Sequence, residues 1–213
     1  MLRLVENHDW VIYSIFGCIV ALVFALLSLN REVSLKDFLV QKYEDAANSY
    51  LTWLVVSAVF CVQASVLVSQ YLPGVPQWLG QWSVAGYTAN KFGYALLIVT
   101  LFYFIRNMLT FLFYSATGQD KNYHHLFFAA SRLFFIASII VMILNFVNYY
   151  IDTDKYVFLQ VLFALTLFFF IFKQFFYLFN RLAVLPEEWY YKILYICTLQ
   201  IAPVFALWRL LFF

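Results

Sequence analysis

A chain of 213 residues that is 65% hydrophobic, 23% aromatic and only 11% charged, with a mean hydropathy of +0.84, is not a soluble globular domain, since such domains carry about 25% charged residues. With 6 Gly, 4 Pro and a net charge of +2, the composition equally excludes a disordered or collagen-like chain and a nucleic-acid-binding protein. It is the composition of a membrane protein.

An apolar run of about 20 residues, rising 1.5 Å per residue, crosses a hydrocarbon core of about 30 Å. Six runs reach that length, near 10–29, 50–71, 92–114, 126–148, 157–179 and 191–213. Barrel-type alternation is absent, and a backbone in lipid must satisfy its own amides, so all six are expected to be helices. Residues 1–213 are read as a single polytopic membrane domain of all-α class. It comprises a bundle of about six transmembrane helices, with a short interfacial helix after the first.

The first run is preceded by Glu6 and Asp9 as well as Arg3, is too long for a signal segment and lacks a small-residue cleavage site, so it is expected to be retained. Asn7 or Asp9 can cap it. Gly17, Ala21 and Ala25 repeat every four residues along it, a spacing that lets helix backbones approach closely. In the loop that follows, Ser34 and Asp37 resemble a capping box, and Leu35, Phe38, Leu39 and Tyr43 share one face. The expectation is an amphipathic helix in the membrane interface, or one docked on a soluble partner. The second run carries a second small-residue stripe, Ser57, Cys61, Ser65 and Ser69. The two stripes are candidates for packing on each other or on a partner protein.

The second loop, 72–90, is uncharged but rich in Gly, Pro and Trp, which predicts an interfacial anchor, re-entrant or gating segment at the outer surface. The third run contains Arg106 and the fourth Arg132, at similar depth. Both are candidates to hold a phosphate of an anionic lipid or lipid-linked precursor, together with Lys173 and Arg181 of the same leaflet; the alternative is that they snorkel to headgroups. His124 and His125 lie between these runs, but His8 belongs to the opposite face, so haem ligation is not supported. Asp152 and Asp154 can cap the fifth run or, less economically, hold an external cation. Phe168, Phe169, Phe170, Phe172, Phe175, Phe176 and Phe179 suit a lipid-facing or core wall, or one for a quinone or prenyl chain. Pro186, Glu187 and Glu188 open the sixth run at the positive end of its dipole. Gln200 near its middle can hydrogen-bond across helices, and Pro203 frees a nearby backbone carbonyl.

With six spans both termini share a face. That face and its loops hold Arg3, Lys91, Lys155 and Arg209, against Arg31, Lys36, Lys42, Arg106, Lys121, Arg132, Lys173, Arg181 and Lys192 on the other. Positive loops stay cytoplasmic, which predicts periplasmic termini. No Asp or Glu falls within the middle of any run, which disfavours proton- or sodium-coupled transport. The three cysteines, Cys18, Cys61 and Cys197, form no CxxC pair and read as packing residues. HExxH, GxSxG, GxxxxGK[ST] and GxGxxG are absent, so no catalytic residue, metal or cofactor is assigned.

Asp9-Trp10 at the first span, Phe38-Leu39-Val40-Gln41-Lys42-Tyr43 leading to Asn48-Ser49-Tyr50-Leu51, and the last span from Tyr191 to Pro203 resemble the Bacteroidota membrane proteins of domain-of-unknown-function family 4271. The resemblance extends over nearly the whole chain and implies a multi-pass protein of a bacterial inner membrane, without supplying a catalytic residue. An acidic residue often stands in that family's last span where this chain has Gln200, which cannot ionise. The leading expectation is a non-catalytic subunit or assembly factor of a multi-protein cell-envelope complex, with membrane lipids and other envelope membrane proteins as partners and no nucleic acid. The competing expectation is a carrier or binder of an anionic lipid or lipid-linked precursor.

Overall fold

In the computed structural model each of the six apolar runs forms a helix long and apolar enough to cross a membrane, with window hydropathies between 1.6 and 2.5. The structure describes residues 9–29, 35–40, 43, 48–72, 83–84, 87–88, 90–151, 154–179 and 188–212. Helix α1 (Asp9–Phe24) continues into a π-helical turn, Ala25–Leu29. The short α2 (Leu35–Val40) stands where the interfacial helix is expected, and α3 (Ser49–Ser69), α4 (Lys91–Ala116), α5 (Asp120–Tyr150) and α6 (Lys155–Phe179) follow. The last helix, α7 (189–212), runs as α-helix over Trp189–Leu194, as π-helix over Tyr195–Ile201 and again as α-helix over Ala202–Phe212.

In the described part of the second loop the backbone pairs with itself. Strands β1 (Ser83–Val84) and β2 (Tyr87–Thr88) pair antiparallel, Ser83 opposite Thr88 and Val84 opposite Tyr87. Pairs of two residues leave no hydropathy period, so composition alone could suggest only an interfacial segment. The Lys91 ammonium donates to the Leu72 carbonyl at 2.9 Å and so ties the ends of this loop together. Residues 73–82, Asn7, Asp152, Arg181, Pro186 and Glu187 lie outside the described residues. Asp154 caps α6 as expected, its Oδ1 accepting from the Tyr156 amide at 2.9 Å. Glu188 occupies the α7 cap position without a side-chain cap bond. The α4–α5 reversal uses Gly118 at φ 69°, and the Gly118 and Gln119 amides return to the Ser115 and Tyr114 carbonyls. Only glycine takes that left-handed conformation at no steric cost.

The core is built around α3, which packs against α1, α4 and, most extensively, α5. Of the most apolar window of each helix, 72% is buried in α5 and 56% in α3, but only 6% in α6; α6 is therefore a peripheral helix. The small residues of α3 allow this packing: Ser57, Cys61, Ser65 and Ser69 are all buried, and the Ser57 hydroxyl lies 3.4 Å from Tyr103 Oη of α4. The α1 stripe behaves differently. Ala25 is buried, but Gly17 is exposed, and a Cβ built on it would meet nothing within 4 Å.

Polar cross-links complete the α1–α3–α5 core. Asn145 Nδ2 donates to both the backbone oxygen and Oε1 of Gln63 at 2.9 Å, and Gln63 Nε2 donates to the Ser14 carbonyl of α1 at 3.3 Å. Asn145→Ala removes two of these bonds from fully buried partners and is expected to cost about 1 kcal/mol, in the range measured for interhelical bonds in membranes. Denaturation of the micellar protein by SDS checks this, with Asn122→Ala, which loses only a half-buried bond to Gln119, as the near-neutral comparison.

Candidate functional site

Three helices each bring one polar side chain to a single point. From α4, Arg106 donates to Gln200 Oε1 of α7 at 2.5 Å; from α6, Lys173 donates to the same oxygen at 3.0 Å. The two cationic nitrogens are thus within about 5.5 Å of each other. Lys173 and Gln200 are buried and Arg106 half-buried. Gln200 Nε2 in turn donates to Tyr195 Oη at 2.8 Å. The Lys173 ammonium also lies 5.5 Å from the Tyr177 ring centre and 5.7 Å from that of Phe134, so π faces supply part of the lost solvation.

The local backbone explains how Gln200 and Tyr195 meet. Residues five apart on a regular α-helix point about 140° away from each other. The π-helical segment Tyr195–Ile201 brings them onto one face. Pro203 has no amide to donate to Leu199, and its ring crowds that carbonyl. The helix widens just before it, with the Ala202 amide bonding back to Cys197. Such π segments recur at functional sites.

On the Arg106 side of this point lies a narrow cleft of about 30 Å³, lined by Trp53, Tyr103, Arg106, Asn107, Thr110, Phe134, Tyr177 and Tyr195 among others but not by Lys173 or Gln200, large enough for a water or two. Beneath it Tyr114, Tyr177, Tyr195 and Leu199 form a buried cluster. The sequence has no acidic residue between Asp45 and Asp120, between Asp154 and Glu187, or after Glu188, so α4, α6 and α7 carry no carboxylate within the bilayer. Two protonated groups at this separation repel by roughly 3 kcal/mol at an effective dielectric near 20. One donor of each bonds to the same neutral carboxamide oxygen. The arrangement can accept an anion, and among the described residues no group of three or more His, Cys, Asp or Glu could hold a metal ion.

Of the cationic residues expected to share a ligand, Arg106 and Lys173 come together and Arg132 goes elsewhere. Arg132 Nε donates to the Phe38 carbonyl at 2.9 Å and Nη1 to the Phe128 carbonyl at 3.1 Å, and its guanidinium carbon sits 3.3 Å from the Phe128 ring centre. It fastens α2, whose Phe38 is buried against Phe135 at 5.3 Å. Gln200, expected to act in packing, joins the cationic pair. The tyrosines were visible only as aromatic composition, because nothing in their spacing marks a shared site.

The fold and this site define an all-α protein whose six apolar helices are compatible with a multi-pass membrane protein and whose polar centre is cationic. A family model described as domain of unknown function (DUF4271) matches residues 11–211, and the chain belongs to that family. No curated protein and no solved structure matches the chain.

Hydrogen bonds to charged groups contribute about 1.5–3 kcal/mol each. Arg132→Gln is therefore expected to speed amide hydrogen exchange in 35–40 at least about tenfold, with exchange in α3 unchanged. Hydrogen-exchange mass spectrometry of the reconstituted protein measures both.

Proposed function

We propose that this chain is an inner-membrane binder or carrier of an anionic lipid or lipid-linked precursor, whose phosphate is held between Arg106 and Lys173. The observation that carries this reading is the convergence of two cations on one neutral oxygen in helices without any acidic residue. Isolated charge in a membrane is expensive and is normally paired. Here Gln200 Oε1 occupies the place of an anion oxygen. In the bound state a phosphate oxygen displaces it, the cleft opens, and the guanidinium and ammonium donate directly to the headgroup. The aromatic wall of Tyr103, Phe134 and Tyr177 accommodates the first part of a prenyl or acyl chain. The excess of Lys and Arg on one face supports periplasmic termini, which puts the site in the cytoplasmic half of the membrane.

The test uses the purified protein in nanodiscs of phosphatidylcholine with a minor fraction of phosphatidylglycerol, the retained lipid being measured by native mass spectrometry. Wild type is expected to retain phosphatidylglycerol selectively, and the Arg106→Gln/Lys173→Gln double variant to lose at least about tenfold of that preference. Gln200→Glu supplies a resident carboxylate and should lose it as well, whereas Gln200→Ala should keep it. A preference indifferent to all of these substitutions overturns the reading.

A second reading, as a non-catalytic subunit or assembly factor of a cell-envelope complex, draws support from the face of α6 on which Phe168, Phe172 and Phe175 are all exposed. Recovery of the chain alone after gentle-detergent purification from native membranes would sink it.

A further inference from the structure

The cleft on the Arg106 side of the cationic centre is polar out of proportion to its size. Its lining of about 30 Å³ includes Arg106, Asn107, Thr110, Tyr103, Tyr177 and Tyr195. The Arg106 charge acts on the hydroxyls of all three tyrosines. Four of these six groups have neutral partners. Thr110 Oγ1 donates to the Arg106 carbonyl at 2.8 Å and also bonds to Tyr195, whose oxygen accepts from Gln200. Tyr103 Oη lies 3.4 Å from Ser57 Oγ, and Asn107 bonds to Tyr123. The other two groups differ. Arg106 uses one terminal nitrogen on Gln200, and among the described residues its remaining N–H groups meet no acceptor. Tyr177 is 3% exposed, and among the described residues its hydroxyl has no hydrogen-bond partner. Both are donors in want of an acceptor, and one of them is charged.

We propose that this cleft is a binding site for one monatomic anion, a halide such as chloride, held by the Arg106 guanidinium and the Tyr177 hydroxyl. Charge decides against water alone. Water would accept from both donors but leave the guanidinium uncompensated, and buried charge is normally paired. The chain cannot pair it: no Asp or Glu stands between Asp45 and Asp120, between Asp120 and Asp152, between Asp154 and Glu187, or after Glu188. A second cation adds to the field, because Tyr177 carries the Lys173 ammonium 5.5 Å from its ring centre. Size then selects among anions. A space for a water or two admits a halide, an ion little larger than a water molecule, but not the four oxygens of a phosphate. Neither Gln200 nor Lys173 lines the cleft, so the ion need not displace the Gln200 oxygen, and the site stands apart from the lipid reading.

The experiment places the purified whole chain in nanodiscs of phosphatidylcholine alone, in a gluconate buffer, and follows the chloride NMR linewidth as sodium chloride is added. Saturable broadening is expected, reversed by bromide but not by an equal concentration of inorganic phosphate. Arg106→Gln should weaken chloride binding at least about tenfold. Tyr177→Phe keeps the ring and every charge, and should weaken it at least about fivefold through the lost hydroxyl. It removes a single oxygen, so it decides the question even where Arg106→Gln fails to fold. Lys91→Gln, at the start of α4, should leave binding unchanged. Broadening that does not saturate, or that is indifferent to Tyr177→Phe, marks an adventitious ion only and overturns the site. Displacement by phosphate as readily as by bromide overturns the monatomic class. With no anionic lipid present, these outcomes do not depend on whether phosphatidylglycerol is retained, so either proposal can fail alone.

Discussion

The arrangement of α4, α6 and α7 depends on burying positive charge without a carboxylate to meet it. Gln200 is the compromise: a carboxamide carries a partial negative oxygen without introducing an ion, and it can turn its amide toward Tyr195 at the same time. Helix α6 feels this most. Its most apolar window is almost entirely exposed, and its buried residues near the site are Lys173 and Tyr177, the former bound to Gln200 and the latter packed against Tyr195 and Leu199. Whatever replaces the Gln200 oxygen at Lys173 therefore acts on the principal inward contact of a loosely held helix.

The rest of the bundle is held differently. The α1–α3–α5 core is joined by neutral amides, Gln63 with Asn145 and the Ser14 carbonyl, and by small residues that let α3 approach its neighbours. Hydrogen-bonded neutral groups cost far less to bury than unpaired charges, although Asn145 Oδ1 is buried without a hydrogen-bond partner among the described residues. The polar centres thus divide by chemistry: a neutral amide network in the densely packed helices, and a cationic one where packing is sparse. Openings at low cost arise where buried apolar contacts are few, which assigns any movement to α6 and α7 rather than to the core.

Hydropathy made the six helices legible because about twenty apolar residues have few alternatives to spanning a bilayer. The individual polar residues were legible for the same reason, since Arg106, Lys173 and Gln200 each interrupt an apolar run. Their meeting was not. Similar depth suggested Arg106 with Arg132, but depth says nothing of which helices adjoin, and Arg132 turns toward Phe38 of α2. The meeting of Gln200 with Tyr195 was hidden more deeply, because it requires a π-helical phase that no 3.6-residue pattern contains. Pro203 was the one visible sign, and it marked a freed carbonyl without revealing the change of phase. The hairpin at 83–88 left no trace because two-residue strands are shorter than any period that could announce them.

A carboxylate at position 200 would settle the cationic pair permanently, and a hydrophobic residue there would leave two charges facing hydrocarbon. The amide does neither. It accepts from one donor of each cation and, among the described residues, leaves the remaining guanidinium and ammonium protons without a charged partner; giving up its place would exchange one hydrogen bond for another. On the proposed reading, a phosphate would bring several acceptor oxygens and the missing negative charge to a site of low dielectric. The choice of glutamine thus leaves the three helices joined by hydrogen bonds to a neutral oxygen, where a carboxylate would have made a fixed ion pair.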